Sequence, residues 1–241
     1  MAAVLNTNVA SLFNINALNK SKHALDTSLA RLSSGSRINS AKDDATGLVL
    51  ATGFDSKYRG TMQAMRNAND GIAKAQTNDS YNAQITENLQ RMRELAVQAG
   101  GTLVLANSDE GTALVAENTR INGLINATGS VVVDADGGTV TGVGAKATLG
   151  TTYTVAGIDA DLTAVAGSRA KFGADMATFQ SASNNLGNSS VNIAAQLSAI
   201  MDTDYASETA NMTKNNILQQ AGTAALSQAN QAPNNITSLL R

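Results

Sequence analysis

The stretch Leu162–Ile200, LTAVAGSRAKFGADMATFQSASNNLGNSSVNIAAQLSAI, decides the fold. Val165, Phe172, Phe179, Leu186, Ile193 and Ile200 follow one another at seven-residue steps. Leu162, Met176 and Leu197 supply some of the companion positions, while Arg169, Ser183 and Ser190 interrupt them. A sustained seven-residue apolar repeat keeps one seam of a helix turned toward a partner helix. An ordinary amphipathic core helix is the blander alternative. Either way, a helix of roughly 38 residues is about 57 Å long at 1.5 Å per residue, which is a rod.

A matching helix is expected from about Asp55 to Ala99. It carries Tyr58, Met65 and Ile72 at seven-residue steps, then Ile85, Met92 and Ala99 on the same spacing. The two sets fall out of register across TNDSYN (Thr77 to Asn82), which predicts two apolar phases on one helix. A third helix is predicted in DEGTALVAENTRINGLIN, with Leu114, Val115, Ile121, Leu124 and Ile125. Between Gly129 and Asp161 the composition turns to Gly, Thr and Val, and VVVDADGGTVT reads as two β-branched runs around a glycine turn, a hairpin. The fold class is therefore mainly α: an elongated antiparallel bundle of long, coiled-coil-like helices with a small central β-hairpin region.

The chain ends are unusual. MAAVLNTNVASLFN carries Val4, Leu5, Val9, Leu12 and Phe13, and the last residues, NNITSLLR, carry Ile236, Leu239 and Leu240. Chain ends are normally polar and frayed. Burying Leu5, Val9, Leu12 and Phe13 contributes roughly 6 to 10 kcal/mol at about 2 kcal/mol per side chain. Leu218, Ala225, Ala229, Ala232, Ile236 and Leu239 form a C-terminal heptad made largely of small residues, with Leu226 beside it. Pairing the two ends covers one stripe of each helix, so the remaining apolar faces are expected to order against further copies of the chain.

Composition excludes several classes. Of 241 residues, 17 are basic and 19 acidic, and a net charge of -2 argues against a phosphate-neutralising nucleic-acid surface. With no cysteine there is no disulfide or thiolate chemistry, and no window reaches the ~18 apolar residues of a membrane span. No cleavable signal is expected at the N-terminus, which lacks a basic region followed by a solid apolar block. His23 is the only histidine, which leaves no material for a metal cluster or a Ser/His relay. In SAKDDATG, Ser40 is expected to cap a helix, with Asp43 and Asp44 complementing its dipole. GVGAK (Gly142 to Lys146) lacks the spacing of a phosphate loop. No catalytic, cofactor or metal site is expected. In LQRMRELAV, Arg91 and Glu94 share a helix face, as do Arg91 and Leu95.

LSSGSRINSAKDDATGL (Leu32 to Leu48), RNANDGIAKAQT (Arg66 to Thr77) and LQRMRELAVQAG (Leu89 to Gly100) resemble the N-terminal signature of bacterial flagellins. DTDYASETANMTKNNILQQAG (Asp202 to Gly222), ALSQANQAP and the closing SLLR resemble their C-terminal signature. The resemblance covers residues 1 to 128 and 168 to 241.

It implies a secreted structural subunit that polymerises into the flagellar filament. Paired terminal helices (1–42 with 203–241) would form the inner core, and a helical rod (43–202) would include the β-rich segment at about 129–161. The large outer domains of many relatives are absent here, and NATGSVVVDADGG stands where many carry a Phe-Asn-Gly turn, which leaves the hairpin register open. The resemblance further implies self-association, an export chaperone, junction and cap proteins, and export through the flagellar channel. In some relatives the stretch matching LQRMRELAV is read by Toll-like receptor 5; Arg91 and Leu95 match that motif, and Glu117 in VAENTRI matches a supporting position. A hook–filament junction protein is the nearest alternative, and a secreted coiled-coil effector or adhesin a more distant one.

Overall fold

The computed structural model describes the backbone of residues 7–102 and 109–239, and side chains as far as residue 231. The described residues form five helices and one hairpin: α1 (Val9–Ser34), α2 (Ala45–Gln98), α3 (Asp109–Leu124), β1 (Ser130–Val132), β2 (Thr139–Thr141), α4 (Val155–Met201) and α5 (Tyr205–Leu239). The chain divides into two compact units, Met1–Phe54 with Ala195–Arg241, and Asp55–Ala194.

In the unit Asp55–Ala194, the predicted α4 seam is the core. Val165, Phe172 and Phe179 are fully buried and Leu186 nearly so, while Ile193 is half-buried. Burying each phenylalanine contributes about 2–3 kcal/mol. Against this seam lie Ile85, Leu89 and Met92 of α2, Ile121 of α3, and Ile125 and Ala147 of the connecting segments.

Helix α2 corrects the expectation of two phases. Its buried residues form one unbroken heptad seam. Thr61, Ala68, Ala75, Asn82, Leu89 and Ala96 hold one position, and Ala64, Gly71, Asn78, Ile85 and Met92 hold the other. Tyr58, Met65 and Ile72 flank it half-buried, and Ala99 is exposed. The seam crosses TNDSYN on asparagines whose amide nitrogens find partners. Asn78 Nδ2 donates to the Asn126 carbonyl at 2.6 Å, and Asn82 Nδ2 donates to Ser168 Oγ at 3.3 Å. Its first half is small because neighbours come close: a Cβ at Gly71 would lie 3.1 Å from the Phe179 ring and 3.3 Å from Val131.

Two boundaries also move. Helix α2 starts at Ala45 because Asp44, not Ser40, is its cap, accepting from the Gly47 N–H at 2.8 Å. Ser40 instead donates its hydroxyl to Asp43 at 3.0 Å. Helix α4 starts at Val155, inside the segment expected to be β-rich, because the Thr154 hydroxyl accepts from the Gly157 N–H at 3.1 Å. The hairpin forms where expected, antiparallel, with Ser130 opposite Thr141, Val131 opposite Val140 and Val132 opposite Thr139. Gly137, at φ 91, supplies the left-handed residue of its turn.

In the other unit, α1 and α5 pair antiparallel. Gly35 (φ 70) ends α1 and its N–H donates to the Arg31 carbonyl. The chain is tied across this turn by a bridge between Ser36 and Asp202. The Arg37 N–H donates to the Met201 carbonyl at 2.6 Å, and the Tyr205 hydroxyl to the Leu32 carbonyl at 3.0 Å.

Candidate assembly surface

The pairing of α1 with α5 follows a heptad on each helix, in which leucines and a methionine are interspersed with small and polar residues. On α1 the covered positions are Ser11, Leu18, Leu25 and Leu32, alternating with Asn14, Ser21 and Ser28. On α5 they are Glu208, Asn215, Gly222 and Ala229, alternating with Met212, Gln219 and Leu226. Polar pins fix the register. Asn8 Nδ2 donates to the Ala229 carbonyl at 2.8 Å, Ser11 Oγ donates to Asn230 Oδ1 at 2.9 Å, and Arg31 lies 3.7 Å from Glu208. Gly222 brings the backbones close, since a Cβ there would meet Leu18 at 3.2 Å.

This seam leaves other large apolar side chains outside. Val9, Leu12 and Phe13 are 66%, 55% and 74% exposed, and Leu29 is also exposed. On α5, Ile217 and Leu218 are exposed and, with Ala206, Thr209, Ala210, Thr213 and Lys214, line one open face of the helix. Of the residues predicted for self-association, Val9, Leu12, Phe13 and Leu218 are therefore uncovered, and Leu226 is half-buried in the intramolecular seam. Leu5, Leu240 and the side chains of Ile236 and Leu239 lie outside the described residues. Ile200, from the α4 series, is half-buried in this unit, where its carbonyl accepts from Arg37 at 3.0 Å.

The small turn between α1 and α2 is built on Asp43. Its carboxyl is held below the usual carboxylate range by the Ser40 hydroxyl, and then by the Asn39 and Ser40 amides. His23 is exposed and faces the same cleft, with Arg31 and Lys42. Among the described residues there is no cluster of three metal-ligating side chains, and no helix is long and apolar enough to cross a membrane.

In the unit Asp55–Ala194, Arg91 and Leu95 share a face of α2. Leu95 packs half-buried against the core. Arg91 reaches Glu94 at 3.0 Å as its spacing predicts, but its closer partner is Glu110 at the start of α3, at 2.7 Å. Glu110, and then Glu94, raise the proton affinity of the guanidinium, and Arg91 in turn holds the Glu110 carboxyl below its ordinary value. The signal for Glu110 was an acid in the first turn of a helix. Glu117 is half-buried and paired with Arg120 on its own helix at 2.7 Å, which lowers its proton affinity.

The N-terminal helical region of bacterial flagellin matches residues 5–135, and the C-terminal helical region of bacterial flagellin matches residues 155–240. The chain is 32% identical over 351 residues to a flagellin of Serratia marcescens, and 32% identical over 391 residues to one of Bordetella bronchiseptica, with the whole of both chains covered in each case. It is 48% identical over 151 residues to a flagellin of Salmonella muenchen, a match that takes in 61% of this chain and 30% of that longer protein. Matched across both helical regions and aligned end to end with two of these relatives, the chain belongs to the bacterial flagellin family, whose members are structural subunits of the flagellar filament.

Proposed function

We propose that this chain polymerises with copies of itself into an extracellular flagellar filament, through the faces of α1 and α5 that their own pairing leaves bare. The observation that carries the reading is the incomplete cover of the terminal helices. Their seam takes in Leu18, Leu25, Leu32, Met212 and Leu226 among small and polar residues, and Val9, Leu12, Phe13 and Leu218 are left turned to solvent. Helices so paired bury little apolar area each, so their full ordering would come with assembly. On this reading residues 1–42 with 203–241 form the inner core and 43–202 the rod.

The subunit is secreted through the flagellar export channel, and a chaperone shields α5 beforehand, because an uncovered apolar helix face aggregates. Junction and cap proteins bound the polymer at its two ends. Arg91, Leu95 and Glu117 form the patch through which Toll-like receptor 5 would recognise the subunit. The chain performs no catalysis, in keeping with a structural family, and binds no nucleic acid.

Seeded growth followed by electron microscopy tests the central claim. The unaltered chain should extend filament fragments into long tubes. Phe13→Asp and Leu218→Asp, which touch no intramolecular seam, should leave monomer helicity intact and abolish extension. Normal filaments from both variants would remove these faces from assembly. Short caps from the unaltered chain would support a junction protein, and stable monomers an effector.

A further inference from the structure

The segment 142–150 contains neither helix nor paired strand, yet buried side chains of α4 hold it at three levels. The Val143 N–H donates to Asp175 Oδ1 at 2.7 Å, and the Gly144 N–H to Asp175 Oδ2 at 2.8 Å, where the Thr128 hydroxyl also donates. The Ser168 hydroxyl donates to the Ala145 carbonyl. The Gly150 N–H donates to Asp161 Oδ1 at 2.8 Å. Asp161, Ser168 and Asp175 lie seven residues apart on one line of α4 and are all buried.

Two heptads of helix rise about 21 Å. Seven residues of extended chain, from 143 to 150, span about 23 Å. The strap and the line that holds it are therefore matched in length, and they run in opposite directions. The strap also enters the core. Ala147 is buried and its carbonyl accepts from Asn122 of α3 at 3.1 Å, while a Cβ at Gly144 would overlap the Phe172 ring.

One such contact is ordinary loop anchoring. Three in a single register are a device. Shifting α4 by one residue moves it 1.5 Å and turns it by 100°, which swings all three side chains off the strap together. Asp161 and Asp175 would then be buried without their donors, a costly state.

We propose that segment 142–150 is a register lock, in which Asp161, Ser168 and Asp175 are positioning residues that hold α4 at one axial setting against the strap and, through Asn122, against α3. The strap falls between the two matched flagellin regions, which end at 135 and resume at 155. Neither region therefore assigns it a role. The lock acts inside the folded monomer and does not depend on filament formation.

Amide hydrogen exchange in the full-length monomer, followed by NMR, tests it. Asp175→Asn should speed exchange about tenfold or more at Val143 and Gly144, as expected for losing a charge-assisted bond. A lock also requires Gly150, bonded to Asp161 and not to Asp175, to speed up by about fivefold or more, because the strap releases as a unit. Asp161→Asn should produce the converse pattern. Acceleration confined to the amides bonded to the altered side chain, or none at all, would overturn the lock and leave three independent anchors. If an aspartate variant fails to fold, Ser168→Ala removes the middle contact to the strap, together with the bond Ser168 accepts from Asn82 of α2, and the same criterion applies to Gly144 and Gly150.

Discussion

At the scale of single residues, this protein is shaped by what it cannot accommodate. Gly144 lies against Phe172 and Asp175 with no room for a Cβ, whereas Gly167, in mid-helix on α4, has nothing within 4 Å of where one would stand. Gly144→Ala should therefore lower stability by about 1–3 kcal/mol, through overpacking and a displaced strap. Gly167→Ala should raise it by about 0.5–1 kcal/mol, through helix propensity alone. Thermal unfolding followed by circular dichroism checks both, and equal effects would contradict the packing at Gly144. Charge is tunable at the same scale. The Arg91 guanidinium, hydrogen-bonded to Glu110, depresses its carboxyl below the ordinary glutamate value. The stabilisation from that pair is thus present above the ordinary glutamate range and is lost as the pH falls through the lower, folded value. An NMR titration of Glu110 should show a midpoint below the ordinary glutamate value that rises in Arg91→Gln; an unmoved midpoint would mean the pair does not form in solution.

At the scale of elements, legibility followed residue size. The α4 seam was readable because Val165, Phe172, Phe179 and Leu186 are large and evenly spaced, and all four are buried. The α2 seam was misread because its positions before Ile85 are held by Ala, Gly, Thr and Asn, which pattern reading counts as neutral. A buried asparagine looks like a surface one until its partner is known, and the partners of Asn78 and Asn82 lie far along the chain. Asp161 and Asp175 were hidden for the same reason: an acid in a heptad reads as a solvated face until backbone amides are found to meet it. The terminal helices divide their apolar residues. Leu18, Leu25 and Leu32 lie in the pairing seam beside Ser11, Ser28, Gly222 and Ala229, while Val9, Leu12 and Phe13 face solvent. That seam makes its own prediction. Gly222→Leu should force α1 and α5 apart at Leu18 and speed tryptic cleavage at Lys20 and Lys214 several-fold. Ala224→Leu, at an exposed position, should not. Equal cleavage in the two variants would contradict close packing at Gly222.

At the scale of the whole molecule, the two units differ in what holds them. Among the described residues, the unit of the chain ends buries Ile38 and Ala51 as its apolar core and otherwise covers Ser11, Ser28 and Glu208. The unit Asp55–Ala194 buries Phe172, Phe179, Ile85, Leu89 and Met92. Apolar burial is the main favourable term in folding, so the two should not unfold together. Calorimetry of the monomer should resolve two transitions, the lower from the unit of the chain ends. Trypsin applied between them should remove both ends first and leave a fragment centred on 55–194. Assembly should then act selectively. Contacts that bind only the folded terminal helices stabilise them by mass action, so the lower transition should rise in filaments and depend on subunit concentration, while the upper one should move far less. A single transition in the monomer, or an equal rise of both on polymerisation, would mean that the terminal helices are not the part whose stability the filament supplies.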